Sequence, residues 1–462
     1  MRAGVTTLSR TTLSPTTILA LVIVLGEWTG LARALVRAPV YAAGLDVVLV
    51  GLFAFTVWRA WQVRQSVRFH LLDGLLAAYF LLALVEIFNP NVPSPLVGLE
   101  GFRKTAFMML AYPIVRFSTT RDSARFFRIV VIGSIAAFLW SIRQAMSPLP
   151  IELDIMNTSG TSPLSFRSGP VLRAFAPTPG PFHLGILGAA VAVVATVLAR
   201  TRDVRYVGVA VVAAVALGLT LTRANILAAV AAFGAVVLAS PPMAERIRSA
   251  LRFAPVALAL GLAVFFTARS VVPTTAPAEP QGAGAIPSAA ISSLGPVPQD
   301  ALPNPLDDRS LRFRFEYWSE GLQAIAERPL VGYGTSSAGD GFGRLYQGTG
   351  DRNFNPHSLY LKAALELGLV GLALILAILA VALRECRRAF ARNTEVALIG
   401  LGLLVLTTMS GFSGPMLDAY PFNLLFWATV GWLVAVQAGP RQPSGASVRD
   451  EEGFVLGGDA IP

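Results

Sequence analysis

Cysteine is nearly absent from this chain: Cys386 stands alone among 462 residues. No intrachain disulfide can form, so packing and polar contacts must hold whatever fold exists. Charge is scarce as well, 14% Asp, Glu, Lys and Arg against 54% hydrophobic residues, with a mean hydropathy of +0.62. Soluble globular domains carry roughly a quarter charged residues, and that class is excluded. There are three histidines, and no His- or Cys-based spacing suited to a metal. No glycine-rich phosphate loop of the nucleotide-binding kind occurs, which argues against ATP-driven work. No repeat of fixed period is visible.

What the chain has in abundance is apolar length. Twelve stretches approach or reach the ~18–20 residues that span a bilayer as a helix. They lie at about 16–36, 39–58, 69–88, 105–118, 126–147, 181–199, 205–221, 223–239, 252–270, 357–383, 395–413 and 420–438. The expected fold class is an all-α membrane protein with about twelve transmembrane helices. The fourth stretch is short and holds Pro113, and only a tight turn at Thr222-Arg223 separates the seventh from the eighth. Arg2 and Arg10 precede the first stretch as in a signal peptide, but the number of spans that follow favours a retained helix.

The net charge of +10 invites a nucleic-acid partner, yet the arginines sit in short clusters between apolar runs, which is an orientation signal. Arg59, Arg64 and Arg68 follow the second stretch, and Arg116, Arg121, Arg125 and Arg128 the fourth. Arg200, Arg202 and Arg205 follow the sixth, Arg246, Arg248 and Arg252 the eighth, and Arg384, Arg387, Arg388 and Arg392 the tenth. Positive charge favours the cytoplasmic side, so both termini are expected there, with Cys386 beside a cytoplasmic cluster. The long connections, 148–180 and 271–356, then fall outside.

This divides the chain into spans one to nine (1–270), a large outer loop (271–356), spans ten to twelve (357–438) and a polar tail (439–462) expected to be disordered. Val271 to Pro305 is rich in Pro, Ala, Gly and Ser and reads as a mobile or extended strap. An amphipathic helix follows Asp307-Asp308, with Leu311, Phe315, Trp318, Leu322 and Ile325 on one apolar face that is expected to hold it over the membrane-facing core. Arg328-Pro329 ends it and Gly332-Tyr-Gly334 turns the chain.

Arginines on the outer side run against the orientation bias. Arg103, Arg167, Arg173, Arg223, Arg312 and Arg314 all fall there. Guanidinium groups clustered at a membrane boundary suit a phosphate or pyrophosphate, because arginine binds planar oxyanions in bidentate fashion and stays charged. Arg223 sits between two spans with almost no loop, a costly place for a charge. Of the histidines, His357 opens a span beside this arginine-bearing loop, and its ordinary pKa near ~6.5 suits proton transfer at neutral pH. His70 reads as a solvated cytoplasmic residue and His183 as a structural one at the start of the sixth span. Glu366, four after Lys362, reads as an intrahelical ion pair, and Asp46 as a hydrogen-bonding partner for a neighbouring helix. Asp307-Asp308 reads only weakly as a cation site.

His357-Ser358, the nine residues Leu359 to Leu367, and Gly368-Leu-Val-Gly371 fill a pattern that resembles the bacterial O-antigen ligase/O-antigen polymerase family. Thr222-Arg223 resembles the Ser/Thr-Arg pair that opens a helix in that family. Arg314, four before Trp318, followed by Pro329-Leu-Val-Gly332-Tyr-Gly334, resembles its Arg-x-x-x-Trp helix ending in Pro-Leu-x-Gly-x-Gly. Arg173 lies in a looser match, Arg103 in a weaker one, and Arg312 is an alternative to Arg314. The likeness covers about 205–385 well. It implies a helical membrane glycosyltransferase of the GT-C type, working without cofactor or metal and inverting the anomeric centre. The donor would be an undecaprenyl-pyrophosphate-linked glycan at the periplasmic face of the inner membrane. The acceptor would be a glycan, lipid A-core or a protein hydroxyl. Membrane lipids are then the surroundings and nucleic acid is no partner. A transporter or flippase of lipid-linked sugars is the alternative. Such a protein should show midplane charges and two related halves, and neither is evident.

Overall fold

The computed structural model describes residues 13–36, 40–63, 68–118, 122–158, 166–168, 171–239, 247, 251, 253–263, 309–338 and 356–438. The Val271–Pro305 strap, Asp307-Asp308 and the tail after 438 lie outside them. The described chain is all helix apart from one two-residue hairpin. The first helices are α1 (Pro15–Gly26), α2 (Thr29–Val36), α3 (Val40–Gln62), α4 (Leu71–Val85), α5 (Pro95–Thr105) and α6 (Ala111–Arg116). Next come α7 (Ser123–Gly133), α8 (Ile135–Met146), α9 (Pro150–Thr158) and the hairpin β1 (Arg167–Ser168) with β2 (Val171–Leu172), paired antiparallel. Then follow α10 (Pro181–Thr201), α11 (Tyr206–Leu219), α12 (Arg223–Leu238), α13 (Phe253–Ala263), α14 (Arg309–Glu327), α15 (Leu359–Ala389), α16 (Thr394–Ser410) and α17 (Phe422–Ala435).

Each of the twelve expected stretches coincides with an apolar helix or helix pair. Five segments are long and apolar enough to cross a bilayer: Ala43–Gln62, Leu71–Phe88, Ser123–Met146, Pro181–Thr201 and Leu359–Ala389. The pair α1 and α2 makes a sixth, bent by 62°, where an unbroken first span was expected. The shorter ones fall short by geometry: α11, with 14 residues, measures ~21 Å at ~1.5 Å per residue, against a hydrocarbon core of ~30 Å.

Helix α10 forms the middle of the bundle. It packs against α11, α12 and α16, and nearly all of its residues from Leu184 to Ala199 are buried. Without a hydrophobic force between helices in lipid, close approach through small residues does the work. A side chain at Gly188 would sit 3.1 Å from the Ala213 carbonyl oxygen, and one at Gly402 of α16 would sit 2.5 Å from Val193. Helix α17 is buried along its whole length, Trp427 and Trp432 included.

The two ends of the bundle differ chemically. At one end Glu385 receives Arg384 (2.9 Å), Arg388 (3.0 Å), His70 (3.5 Å) and the amide of Gln437 (2.8 Å). Arg202 meets Glu395 at 2.7 Å at the start of α16. His70 also caps α4, and burial holds its pKa below the ordinary value against the pull of Glu385. The basic clusters after the fourth, sixth and tenth stretches thus have described members at one end.

Helix α15 is not the continuous run that the sequence suggested. Gly368 has φ 67° and ψ −174° and breaks it, a conformation open essentially to glycine alone. The turn after α14 fills the gap. Leu369 N–H donates to Pro329 O (2.7 Å), Tyr333 N–H to Leu365 O (2.8 Å) and Gly334 N–H to Glu366 O (3.0 Å). A Cβ at Gly368 would lie 2.0 Å from the Leu330 carbonyl oxygen. We expect Gly368→Ala to cost more than the ~1–3 kcal/mol of backbone strain alone, read as a lowered melting temperature of the detergent-solubilised protein. An unchanged melting curve would show that the break is dispensable.

Candidate active site

At the bundle end opposite Glu385, five elements meet. Helix α12 starts there, preceded by Leu221 at φ 52°. Thr220 and Thr222 share a hydrogen bond of 2.5 Å between their hydroxyls, which closes the turn and leaves Arg223 as the first helical residue. This turn fits only because α10 offers Gly185: a Cβ there would be 2.3 Å from Thr222 Oγ1 and 2.9 Å from Asn225 Nδ2. Asn225 is fully buried and donates from its amide to Phe182 O at 3.3 Å.

Arg173 comes from the extended segment after the hairpin. Ala174 N–H donates to Leu219 O (3.0 Å), and the Arg173 Nε donates to Thr220 O (2.7 Å), so the segment is tied to the end of α11. Buried Gln144 on α8 supports it from behind, accepting from the N–H groups of Phe175 (2.9 Å) and Ala176 (3.0 Å). Burial lowers the Arg173 pKa to about 10, helped by the positive charges of Arg314 and Arg223. Arg173 therefore stands within electrostatic reach of both Arg223 and Arg314, although 50 and 141 positions separate it from them. Arg173 remains charged at neutral pH.

Arg314 lies on α14 and donates from Nη1 to Ser413 Oγ at 2.7 Å, in the loop joining α16 to α17. One turn on, Trp318 donates its Nε1–H to Pro356 O at 2.8 Å, holding the residue before His357. His357 has φ 44°, and its ring lies 6.2 Å from that of Tyr317. A non-glycine residue held in the left-handed region is a strained arrangement of the kind that clusters at functional sites. Ser358 then caps α15, and Leu359 N–H bonds Gly411 O at 2.8 Å. Helix α14 accordingly touches both an arginine-bearing and a histidine-bearing corner of the same end.

Beneath His357 lies an ionic knot of which the sequence showed only one pair. The buried Lys362 ammonium lies 3.2 Å from Glu366 Oε2 and 2.8 Å from Asp418 Oδ2, and donates to Thr105 Oγ1 at 2.7 Å. Glu366 also accepts from Thr105 Oγ1 (3.0 Å) and from the N–H of Ser336 (3.0 Å). The expected intrahelical pair is present, but it joins α5, α15, the turn after α14 and the loop before α17. Asp418, Thr105, Ser413 and Gln144 carried no local signal, because each meets its partner from a distant part of the chain.

Other candidates are placed elsewhere. Arg103 on α5 donates its Nε to Asp46 and lies 3.9 Å from Glu100, so carboxylates already match its charge. Asp46 thereby bonds a neighbouring helix. The side chains of Arg312 and Arg167 lie outside the described residues. His183 opens α10 with its ring edge-on to Phe182 at 6.1 Å. The stripe expected to be the covered face of α14 is only partly covered. Ile325 is buried and Trp318 half-buried, but Phe315 and Leu322 are exposed. The covered face instead runs through Trp318, Gly321, Ala324 and Ile325, because small residues there let α14 approach Leu365.

Residues 208–376 match the O-antigen ligase family. The matched segment contains Arg223, Arg314, His357 and both glycine elements of the interlock, whereas Arg173 and Arg103 precede it. No curated protein matches the chain. An O-antigen ligase-type segment together with apolar bilayer-length helices makes this a multi-pass membrane protein of polysaccharide biosynthesis, with glycosyltransferase activity of the ligase or polymerase type. Such proteins join a lipid-linked glycan to a polysaccharide or lipid acceptor.

Lys362→Met should expose how much this O-antigen ligase-type site depends on the knot. Removing the cation leaves the buried Glu366 carboxylate and the half-buried Asp418 without their common partner, a loss of ~3–5 kcal/mol for a broken buried pair. Chemical denaturation in detergent measures it. A change below ~1 kcal/mol would mean that the knot is solvated.

Proposed function

We propose that the protein transfers a glycan from undecaprenyl pyrophosphate to an acceptor hydroxyl on the periplasmic face of the inner membrane. The observation that carries this reading is the convergence of Arg173, Arg223 and Arg314 at the bundle end where His357 is also held. A pyrophosphate matches guanidinium forks in charge and geometry, and three such forks from separate elements can share its oxygens. With the arginines supplying the charge, transfer needs no metal ion.

The twelve-span topology with cytoplasmic termini belongs to the same reading. The cluster around Glu385 faces the cytoplasm by the positive-inside rule, so the arginine trio faces the periplasm. In the reaction the acceptor oxygen attacks the anomeric carbon from the face opposite the pyrophosphate. The C–O bond to the carrier breaks, the electron pair leaves with the pyrophosphate, and the centre inverts. The acceptor proton passes to the His357 imidazole. Arg223, Arg314 and Arg173 stabilise the charge that develops on the leaving group, and fixed alignment of donor and acceptor supplies much of the remainder. Arg312 is the substitute for Arg314 if the helix rotates, and Arg103 serves by holding α5 through Asp46 rather than by touching the donor.

Purified protein incubated with an undecaprenyl-pyrophosphate glycan and candidate acceptors, with products identified by mass, tests the reading. His357→Ala and Arg223→Ala should each lower transfer by a factor of ~100 or more while melting as wild type. Full activity in both variants would refute it.

A further inference from the structure

Helix α15 holds more residues than a bilayer needs. Gly368 breaks it, and the part from Leu369 to Ala389 alone, ~21 residues at ~1.5 Å each, extends ~32 Å against ~30 Å of hydrocarbon. Arg384, Arg387 and Arg388 mark one boundary near its C-terminal end. The surplus therefore emerges at the other end, where Lys362, Glu366 and the His357 corner lie. A pyrophosphate bound by the arginine trio would sit beyond the hydrocarbon, and the lipid attached to it would need an apolar path down to the bilayer.

Helix α14 runs beside that protruding part, tied at its middle by Trp318 to Pro356 and at its end to the Gly368 break. Its surface carries two exposed stripes beside the covered face. Glu316, Glu320 and Glu327 are exposed along one. The other holds Phe315 and Leu322, with Ser319 between them and Ala326 beyond, and continues along the chain into Leu330 and Val331. Leu330 meets Gly368, whose next residues, Leu369 and Val370, begin the part of α15 that follows the break. The six large apolar residues on this line are 45–67% exposed, and Phe315, Leu322, Leu330 and Val331 among them precede the part of α15 that enters the hydrocarbon. Its upper end, Phe315, adjoins Arg314.

We propose that this stripe is the track for the polyisoprenoid chain of the donor, from the lipid-facing Leu369 and Val370 up through Leu330 and Leu322 to Phe315. The inference rests on the reading that the arginine trio holds a lipid-linked pyrophosphate. Continuity at both ends selects the occupant: one end meets the bilayer and the other meets the cation that holds the lipid's head. The bilayer surface itself is a poor occupant, because anionic headgroups pressed against α14 would face Glu316, Glu320 and Glu327. A single uncharged hydrocarbon chain covers the apolar stripe and leaves the carboxylates in water.

The test uses the full-length protein in nanodiscs and an undecaprenyl pyrophosphate bearing a diazirine in its first isoprene units. Adducts should map to residues 315–331 and be competed by unlabelled polyprenyl pyrophosphate but not by phosphatidylglycerol. Adducts confined to other helices, or displaced equally by phosphatidylglycerol, overturn the proposal. Leu322→Glu and Leu330→Glu, both at exposed positions, should melt as wild type. Each should raise the half-saturating concentration of an undecaprenyl donor about tenfold, as loss of one buried leucine contact predicts, and leave that of a two-isoprene donor unchanged. Equal effects on both donors, or none on either, overturn the track. Transfer that proceeds without this discrimination removes the track and keeps the transferase. Labelling of the stripe without any transfer keeps the track and removes the transferase.

Discussion

The site depends on a backbone fitted into a gap in another backbone. Gly368 opens α15, and the Pro329–Gly334 turn enters the opening and bonds three of its peptide groups. Gly332 and Gly334 supply the other half, at φ 70° and 87°. The same turn reaches across to the α4–α5 region, where Thr335 Oγ1 donates to Gly98 O at 2.9 Å and its N–H to Glu86 O at 3.3 Å. Side chains of any size would hold these segments apart. Because the segments meet, α14 is fixed against α15 at its far end, and Arg314 and Trp318 are carried to the His357 corner at its near end.

A second constraint is electrostatic and works in opposite senses in two neighbouring places. In the knot, one ammonium lies between two carboxylates, with hydroxyl and backbone donors completing the shell, and the charges are nearly satisfied from within. In the arginine trio, positive charges lie together and depress the affinity of Arg173 for its proton. A fold tolerates the first arrangement as structure, since buried charges persist when paired. Arg103, which has Asp46 and Glu100 beside it, belongs with the first arrangement.

Much of this was legible in the residues. Apolar run lengths located the helices, because helix formation in lipid depends on local composition. Among the described residues, basic ones after the fourth, sixth and tenth stretches do share the Glu385 end. The spacing from His357 to Gly368 marked a helix start, but read as an unbroken run, since a glycine among leucines is no breaker in hydropathy terms. Its positive φ is imposed by a turn more than thirty residues earlier. The stripe on α14 was legible as a stripe, yet assigned to the covered side, because periodicity says which residues share a face and is silent about what that face meets.

Sequence by itself determined the elements of this protein: where helices run, which ends carry positive charge, and which motifs belong to an O-antigen ligase-type segment. Those follow from interactions within a few residues, or between a residue and its solvent. Tertiary structure alone decided that arginines from three separate elements stand together, that Asp418 and Thr105 complete the shell of Lys362, and that Phe315 and Leu322 stay uncovered. Each of these is a meeting between segments far apart along the chain, and no local pattern encodes the distance between two surfaces before they pack.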